Sequence, residues 1–321
     1  MPDQNDRPVR RRRRIATIAG AAVSALLLLT VIAVFTWPLD DERLHRAEVA
    51  PMAFAAAEAE ARRAADADAA DPGVRPECAT RLLSHGRATA KAVLLLHGYT
   101  ACPDQMSGLA DHFFRLGYNV YVPRAPRHGL TDRAAHAGVE APELTGYANS
   151  AWNVTAALGD EAGVTGVSAG AVLATWLAHH RPDSVRHLLA LSPFYRPGSS
   201  QAPAVAVRPM LVGYGFRLLP DHVNGRGYSY AALAQYLRIA ANLGPPPADT
   251  VLRSTAVVVA PGDTLIDQRE AVAVPGALAG ASGATLTGHV LPAVLNLEHD
   301  IVRPSTAPQL YPLYQRLYEG I

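Results

Sequence analysis

Several classes of chemistry are excluded by what this 321-residue chain lacks. It holds only two cysteines, Cys78 and Cys102, too few for a thiolate metal cluster or a multiply bridged scaffold. Its twelve histidines form no HExxH pattern and no His/Cys group at ligand spacing, so no metal is expected. The Gly213-Tyr214-Gly215 stretch follows no strand signal and opens no recognisable helix, so neither a nucleotide loop nor any other cofactor site is read from it. Internal repeats are not apparent. Beyond residue 14 the chain carries 23 basic and 26 acidic residues, which leaves no basic surplus for nucleic acid.

The charge that is present sits at one end. Arg7 and the run Arg10 to Arg14 face only Asp3 and Asp6, so residues 1–14 form a basic tail. Ile15 to Trp37 then contains no charged residue. At about 1.5 Å per residue, such a helix spans the roughly 30 Å hydrocarbon core of a bilayer. The basic run predicts a cytoplasmic N-terminus, with the rest of the chain outside the cytoplasm. The alternatives are a cleaved signal, whose apolar core is usually shorter and ends at a small-residue site, and a buried core helix. Residues 38–73 are alanine-rich with scattered charge. They read as a semi-helical stalk, closed by Pro72-Gly73.

From about residue 74 onward, short apolar runs alternate with helical stretches. Strands are expected at Ala92–Leu96, Tyr118–Val122, Ala162–Val167, Leu188–Leu191, Ala256–Ala260 and Ala284–Leu291. Helices are expected at Asp104–Leu116, Glu143–Leu158, Ala171–His180, Tyr230–Ala241, Gln268–Leu278 and Ala307–Tyr318. This order predicts an α/β domain with a mostly parallel sheet and helices on both faces. Between the third strand and the helix after it stands Gly166-Val167-Ser168-Ala169-Gly170. A serine between two glycines at a strand-to-helix turn is held in strained backbone, with its hydroxyl lifted above the sheet edge. The two cysteines of an exported domain predict a Cys78–Cys102 disulfide, the alternative being two buried thiols.

Val93-Leu94-Leu95-Leu96-His97-Gly98-Tyr99-Thr100 ends a buried strand in His-Gly-aromatic-Thr. Together with the Ser168 turn and the Pro123-to-Gly129 loop, this stretch resembles the α/β-hydrolase fold family. The likeness is greatest to its carboxylesterases and monoacylglycerol-lipase-like serine hydrolases, and runs from about Lys91 to the C-terminus. The resemblance implies that Ser168 is the nucleophile and that the amides of Tyr99 and Ala169 form the oxyanion hole. It makes His97 and His128 parts of loop architecture. It also implies an acid and then a histidine downstream. Asp263, in Pro261-Gly262-Asp263, matches the acid, while Asp267 reads as the start of a helix. His299 and His289 compete for the histidine; His299 is preferred, because a strand through Val290 would leave His289 beside the sheet. A cap is implied at about residues 193–250. Its Met210, Leu211, Val212, Phe216 and Leu218 either line an acyl pocket or simply pack. The implied activity is hydrolysis of a small-molecule or lipid ester through an acyl-enzyme. A peptidase, an envelope acyltransferase and a catalytically silent scaffold on the same fold are the alternatives.

Overall fold

A computed structural model describes residues 6–321, in two units that meet between Pro38 and Leu39. The five residues before Asp6, with one acid of the basic tail, lie outside the described residues. The first unit is a single helix, α1 (Asp6–Thr36). Its 23-residue segment Arg14–Thr36 is long and apolar enough to cross a membrane. Within it, the hydroxyls of Thr30 and Thr36 donate back to the carbonyls of Leu26 and Ile32.

The second unit, Leu39–Ile321, is built on a seven-stranded sheet. In chain order its elements are α2 (Phe54–Ala70), β1 (Arg81–Leu83), β2 (Thr89–Leu96), α3 (Ser107–Arg115), β3 (Asn119–Val122), α4 (Ala141–Ala156) and β4 (Gly159–Val167). There follow α5 (Ala169–His180), β5 (His187–Leu191), α6 (Ala204–Gly215), α7 (Tyr230–Ala241), β6 (Ser254–Val259), α8 (Gln268–Ser282), β7 (Thr285–Val290) and α9 (Tyr311–Glu319). The strand order is β1-β3-β2-β4-β5-β6-β7, with β1 antiparallel to β3 and every other pair parallel. A parallel sheet must be covered on both faces, and β2 shows how its sequence answers that. Ala92, Leu94 and Leu96 pack into one core with α4, α5 and α7, whereas Val93 and Leu95 pack into a second with α3 and α9. An uninterrupted apolar run is the signature of a strand buried on both sides.

The fold matches the expected α/β architecture, and the six expected strands and helices occur with ends shifted by a few residues. Two elements lacked an expectation, the three-residue edge strand β1 and the helix α6. The stalk is corrected. Residues 39–70 belong to the domain and are strapped to it. Leu44 is fully buried, and its carbonyl accepts from the indole N–H of Trp176 at 2.6 Å. The Asp41 carboxylate takes the buried Arg238 guanidinium at 2.8 Å, which gives that cation the partner its burial requires. On α2, Ala57 and Ala61 are fully buried one turn apart, and Asp68 binds Arg124 at 2.6 Å. Small side chains let this helix lie close against the domain without a large apolar stripe. The disulfide is present: Cys78 and Cys102, with Cα atoms 5.1 Å apart, join the segment before β1 to the loop after β2.

Candidate active site

The parallel strands β2, β4, β6 and β7 all end on one side of the sheet, and the chemistry-bearing residues stand on the loops that leave those ends. After β4 the chain turns at Ser168, whose φ is +56° and ψ −118°, before α5 begins at Ala169. Such a conformation is costly for a residue with a side chain and persists only where the surroundings enforce it. Here they do. A Cβ on Gly166 would lie 2.2 Å from the carbonyl oxygen of Gly170, and one on Gly170 would lie 2.3 Å from that of Leu96. Both glycines are thus demanded by the closeness of β2, β4 and the first turn of α5. Ser168 N–H donates to Leu191 O at 2.9 Å, and its own carbonyl accepts from Phe194 N–H at 3.2 Å, so the turn is tied to β5 on both sides.

The Ser168 hydroxyl lies 2.7 Å from Nε2 of His299, and Nδ1 of His299 lies 2.8 Å from Oδ2 of Asp263. The carboxylate is buried, with Oδ1 accepting from Leu265 N–H at 3.0 Å. A carboxylate facing Nδ1 selects the tautomer with its proton there, which leaves the Nε2 lone pair free to accept from the serine. The segment C-terminal to His299 holds it in place. Ile301 and Val302 are fully buried, and their carbonyls accept from the hydroxyls of Tyr314 at 2.6 Å and Tyr311 at 3.0 Å, both on α9.

The competing residues fall elsewhere. His289 lies within β7, in register with Val258, and hydrogen-bonds neither Ser168 nor Asp263 among the described residues. Asp267 caps α8, accepting from the amides of Arg269 and Glu270 at 3.0 and 3.3 Å.

Behind Ser168 the β2 loop carries the Tyr99 amide, and α5 opens with the Ala169 amide. Among the described residues neither donates to a backbone acceptor in the loop and cap hydrogen bonds. The loop is braced by Gln105, which spacing did not reveal: its Oε1 accepts from Gly98 N–H at 2.8 Å. His97 braces it too. Nε2 accepts from Ala125 N–H at 3.0 Å, while Nδ1 donates to Gly98 O at 3.0 Å. Burial holds its pKa down to about 4, and that of His128, packed beside it, to about 3. Both are neutral struts, as loop architecture requires.

Above the serine lies a cavity of about 510 Å³, roofed by residues of α6, α7 and their connection. Phe194, Val207, Met210, Leu233, Leu237 and Leu265 make one wing apolar. Thr100, Asn224, Tyr228 and Arg303 give it a polar wing as well. Of the five cap residues considered from the sequence, Met210 lines the cavity. Leu211 and Val212 are buried in packing, Leu218 is exposed, and Phe216 stacks under the Arg238 guanidinium at 4.6 Å. The Tyr99 side chain, also unforeseen, ties floor to roof by donating to Ser229 O at 2.8 Å.

A strained serine at a strand–helix turn, a histidine and a buried acid on later strand ends, and a helical cap over them define an α/β-hydrolase fold. The sequence profile of that fold family matches residues 91–216. The chain thus has the α/β-hydrolase fold, and over that stretch its sequence is similar to that family. A thermostable monoacylglycerol lipase of Bacillus sp. (strain H-257) is 34% identical over 97 residues, which is 28% of this chain. The match spans only 36% of that lipase's length. Among solved structures, one from a study of the metagenome-derived lipolytic enzymes LipS and LipT superposes with a TM-score of 0.59 at 21% identity, over 76% of this chain and 96% of that one. The monoacylglycerol lipase of Paleococcus ferrophilus gives 0.56 at 14% identity, over 75% and 98%. The monoglyceride lipase of Saccharomyces cerevisiae gives 0.55 at 10%, over 75% and 91%.

Proposed function

We propose that the protein is a serine hydrolase of carboxylic esters. The observation that carries this reading is the unbroken hydrogen-bonded chain Ser168–His299–Asp263 beneath a cavity with an apolar wing. His299 Nε2 accepts the Ser168 proton as Oγ attacks the ester carbonyl carbon, and the oxyanion forms against the Tyr99 and Ala169 amides. Two preorganised donors at a developing charge lower the barrier by several kcal/mol. As the C–O bond breaks, the imidazolium returns its proton to the departing alkoxide, and the alcohol leaves. Water, deprotonated by the same histidine, then releases the acyl group as the acid. Buried Asp263 favours the imidazolium in both steps. The acyl chain lies in the apolar wing, and lipid or small-molecule esters with an aliphatic acyl part are the substrate class that wing suits. The match of residues 91–216 to the α/β-hydrolase fold family and the 34% identity to a monoacylglycerol lipase over 97 residues support the same reading.

We further propose that α1 anchors the domain outside the cytoplasm, with the basic N-terminus inside. Its 23-residue apolar span and the arginines before it support this topology.

The test is hydrolysis of p-nitrophenyl esters of graded acyl length by the full chain in detergent, together with labelling by a fluorophosphonate. Label on Ser168 and turnover that disappears in Ser168→Ala are expected. A folded protein that neither turns over esters nor takes the label would remove the hydrolase reading. Retention of the full-length chain in membranes after carbonate washing checks the anchor. A shortened, soluble product would replace it with a cleaved signal.

A further inference from the structure

The polar wing of the cavity opens into a second cleft of about 330 Å³, with Thr100, Arg226, Tyr228 and Arg303 lining both. Its composition is unlike that of a site for a neutral alcohol. Arg75, Arg127, Arg133, Arg226 and Arg303 face three carboxylates, those of Glu77, Asp104 and Asp132. Three of these arginines are paired: Arg75 with Glu77 at 3.1 Å, Arg127 with Glu143 at 3.2 Å, and Arg303 with Asp300 at 3.0 Å and Asp104 at 3.7 Å. Arg133 and Arg226 have no ion pair among the described residues, and both are exposed at the cleft.

A buried group points the same way. His136 is 6% exposed and lines the cleft. Its Nδ1 donates to Arg133 O at 2.7 Å, and its ring stands edge-on to Tyr99 with centroids 5.2 Å apart. Nε2 is buried with no hydrogen-bond partner. Leaving such an atom unpaired is unfavourable unless a ligand completes it. With Nδ1–H committed to a carbonyl, Nε2 is the ring atom left for a ligand.

We propose that the alcohol half of the ester substrate carries an anionic group, a phosphate or a carboxylate, received in this cleft by Arg133 and Arg226 beside His136. The proposal rests on the ester-hydrolase reading and adds to it the charge of the leaving alcohol. Guanidinium forks match the oxygen geometry of both anions. The acyl chain then runs into the apolar wing, and the scissile carbonyl lies at Ser168 between the two wings.

The test compares three dodecanoyl esters on the full chain in detergent: of ethylene glycol, of 2-hydroxyethyl phosphate and of hydroxyacetate. The readout is kcat/KM for each anionic ester relative to the neutral one on the same preparation, so a partly unfolded variant leaves the ratio intact. A ratio of about ten or more is expected for one anion or both, and the larger ratio identifies which. It should fall toward one in the R133Q/R226Q double variant and recover in R133K/R226K. A native ratio near one, or one indifferent to R133Q/R226Q, overturns the proposal while Ser168-dependent cleavage of the neutral ester leaves the hydrolase reading standing. No cleavage of any ester, with Ser168 unlabelled by fluorophosphonate, overturns both.

Discussion

The floor of the site and its roof are built on different terms. On the floor, backbone decides which residues can be present. Ser168 sits at φ +56°, and its flanking glycines lie within 2.2–2.3 Å, at Cβ, of carbonyl oxygens. The loop before it is held by the Gln105 and His97 side chains on main-chain groups. In the roof, α6 and α7 meet the cavity through ordinary apolar side chains, and most of its contacts would survive exchange for another residue of similar size. The floor is therefore specific to a mechanism, the roof to a substrate. A substitution in one should change whether ester bonds are cleaved, and in the other which ones.

The largest expected effect tests the floor. Ser168→Ala and His299→Ala should each reduce kcat on a p-nitrophenyl ester by roughly 10⁴-fold or more, since members of such a unit fail together. His289→Ala should change it by less than about threefold, for its place in β7 is structural. A His289 variant as inactive as the His299 variant, with both proteins folded by circular dichroism, would break the distinction between the strand and the loop histidine.

The same contrast explains why the floor is readable from sequence and the roof is not. A glycine forced by a carbonyl at 2.3 Å, or a strand buried on both faces, leaves its mark within a few consecutive residues. The Gly166-to-Gly170 turn and the run Ala92–Leu96 are legible for that reason. His299 is separable from His289 only by asking which one a strand would carry away. The helix α6 is hidden in the sequence because Pro209, Gly213 and Gly215 read as breakers, yet tertiary packing sustains it. The strap at residues 39–70 reads as a stalk because Ala57 and Ala61 fit by being small rather than by forming an apolar stripe. Gln105, Tyr311 and Tyr314 act on main-chain groups of other segments, and no local pattern announces such a bond.

The floor's bracing can be weakened without touching Ser168. Closing residues 78–102 by a disulfide stabilises by about 3.5 kcal/mol in the chain-entropy model, so Cys78→Ser/Cys102→Ser should lower unfolding free energy by roughly that amount. Denaturant unfolding of the domain, with and without reductant, measures it. Acid should act on the same loop. His97 is neutral when folded, with its pKa lowered by burial from 6.5 to about 4, so the unfolded chain binds the proton first. Its contribution is then complete above about pH 6.5 and is lost as pH falls toward 4, on the order of 3 kcal/mol. His97→Gln, which can accept from Ala125 N–H without titrating, should flatten that slope between pH 6.5 and 4. An unchanged slope would move the acid sensitivity to His179 and His180, whose pKa values burial also lowers to about 4.

The smallest expected effect belongs to the roof and is the one that defines it. Met210 projects from α6 into the apolar wing, and a tryptophan there would occupy room that an acyl chain needs. Each methylene denied burial costs about 0.8 kcal/mol, so losing space for one or two of them should shift the preference between long and short esters by about tenfold. The quantity to measure is kcat/KM for a dodecanoyl ester divided by that for a butanoyl ester, in native protein and in Met210→Trp. A fall in the ratio assigns the apolar wing to the acyl chain. An equal fall for both esters would mean that Met210 supports the floor through packing, and the boundary between floor and roof would have to be drawn above α6 rather than below it.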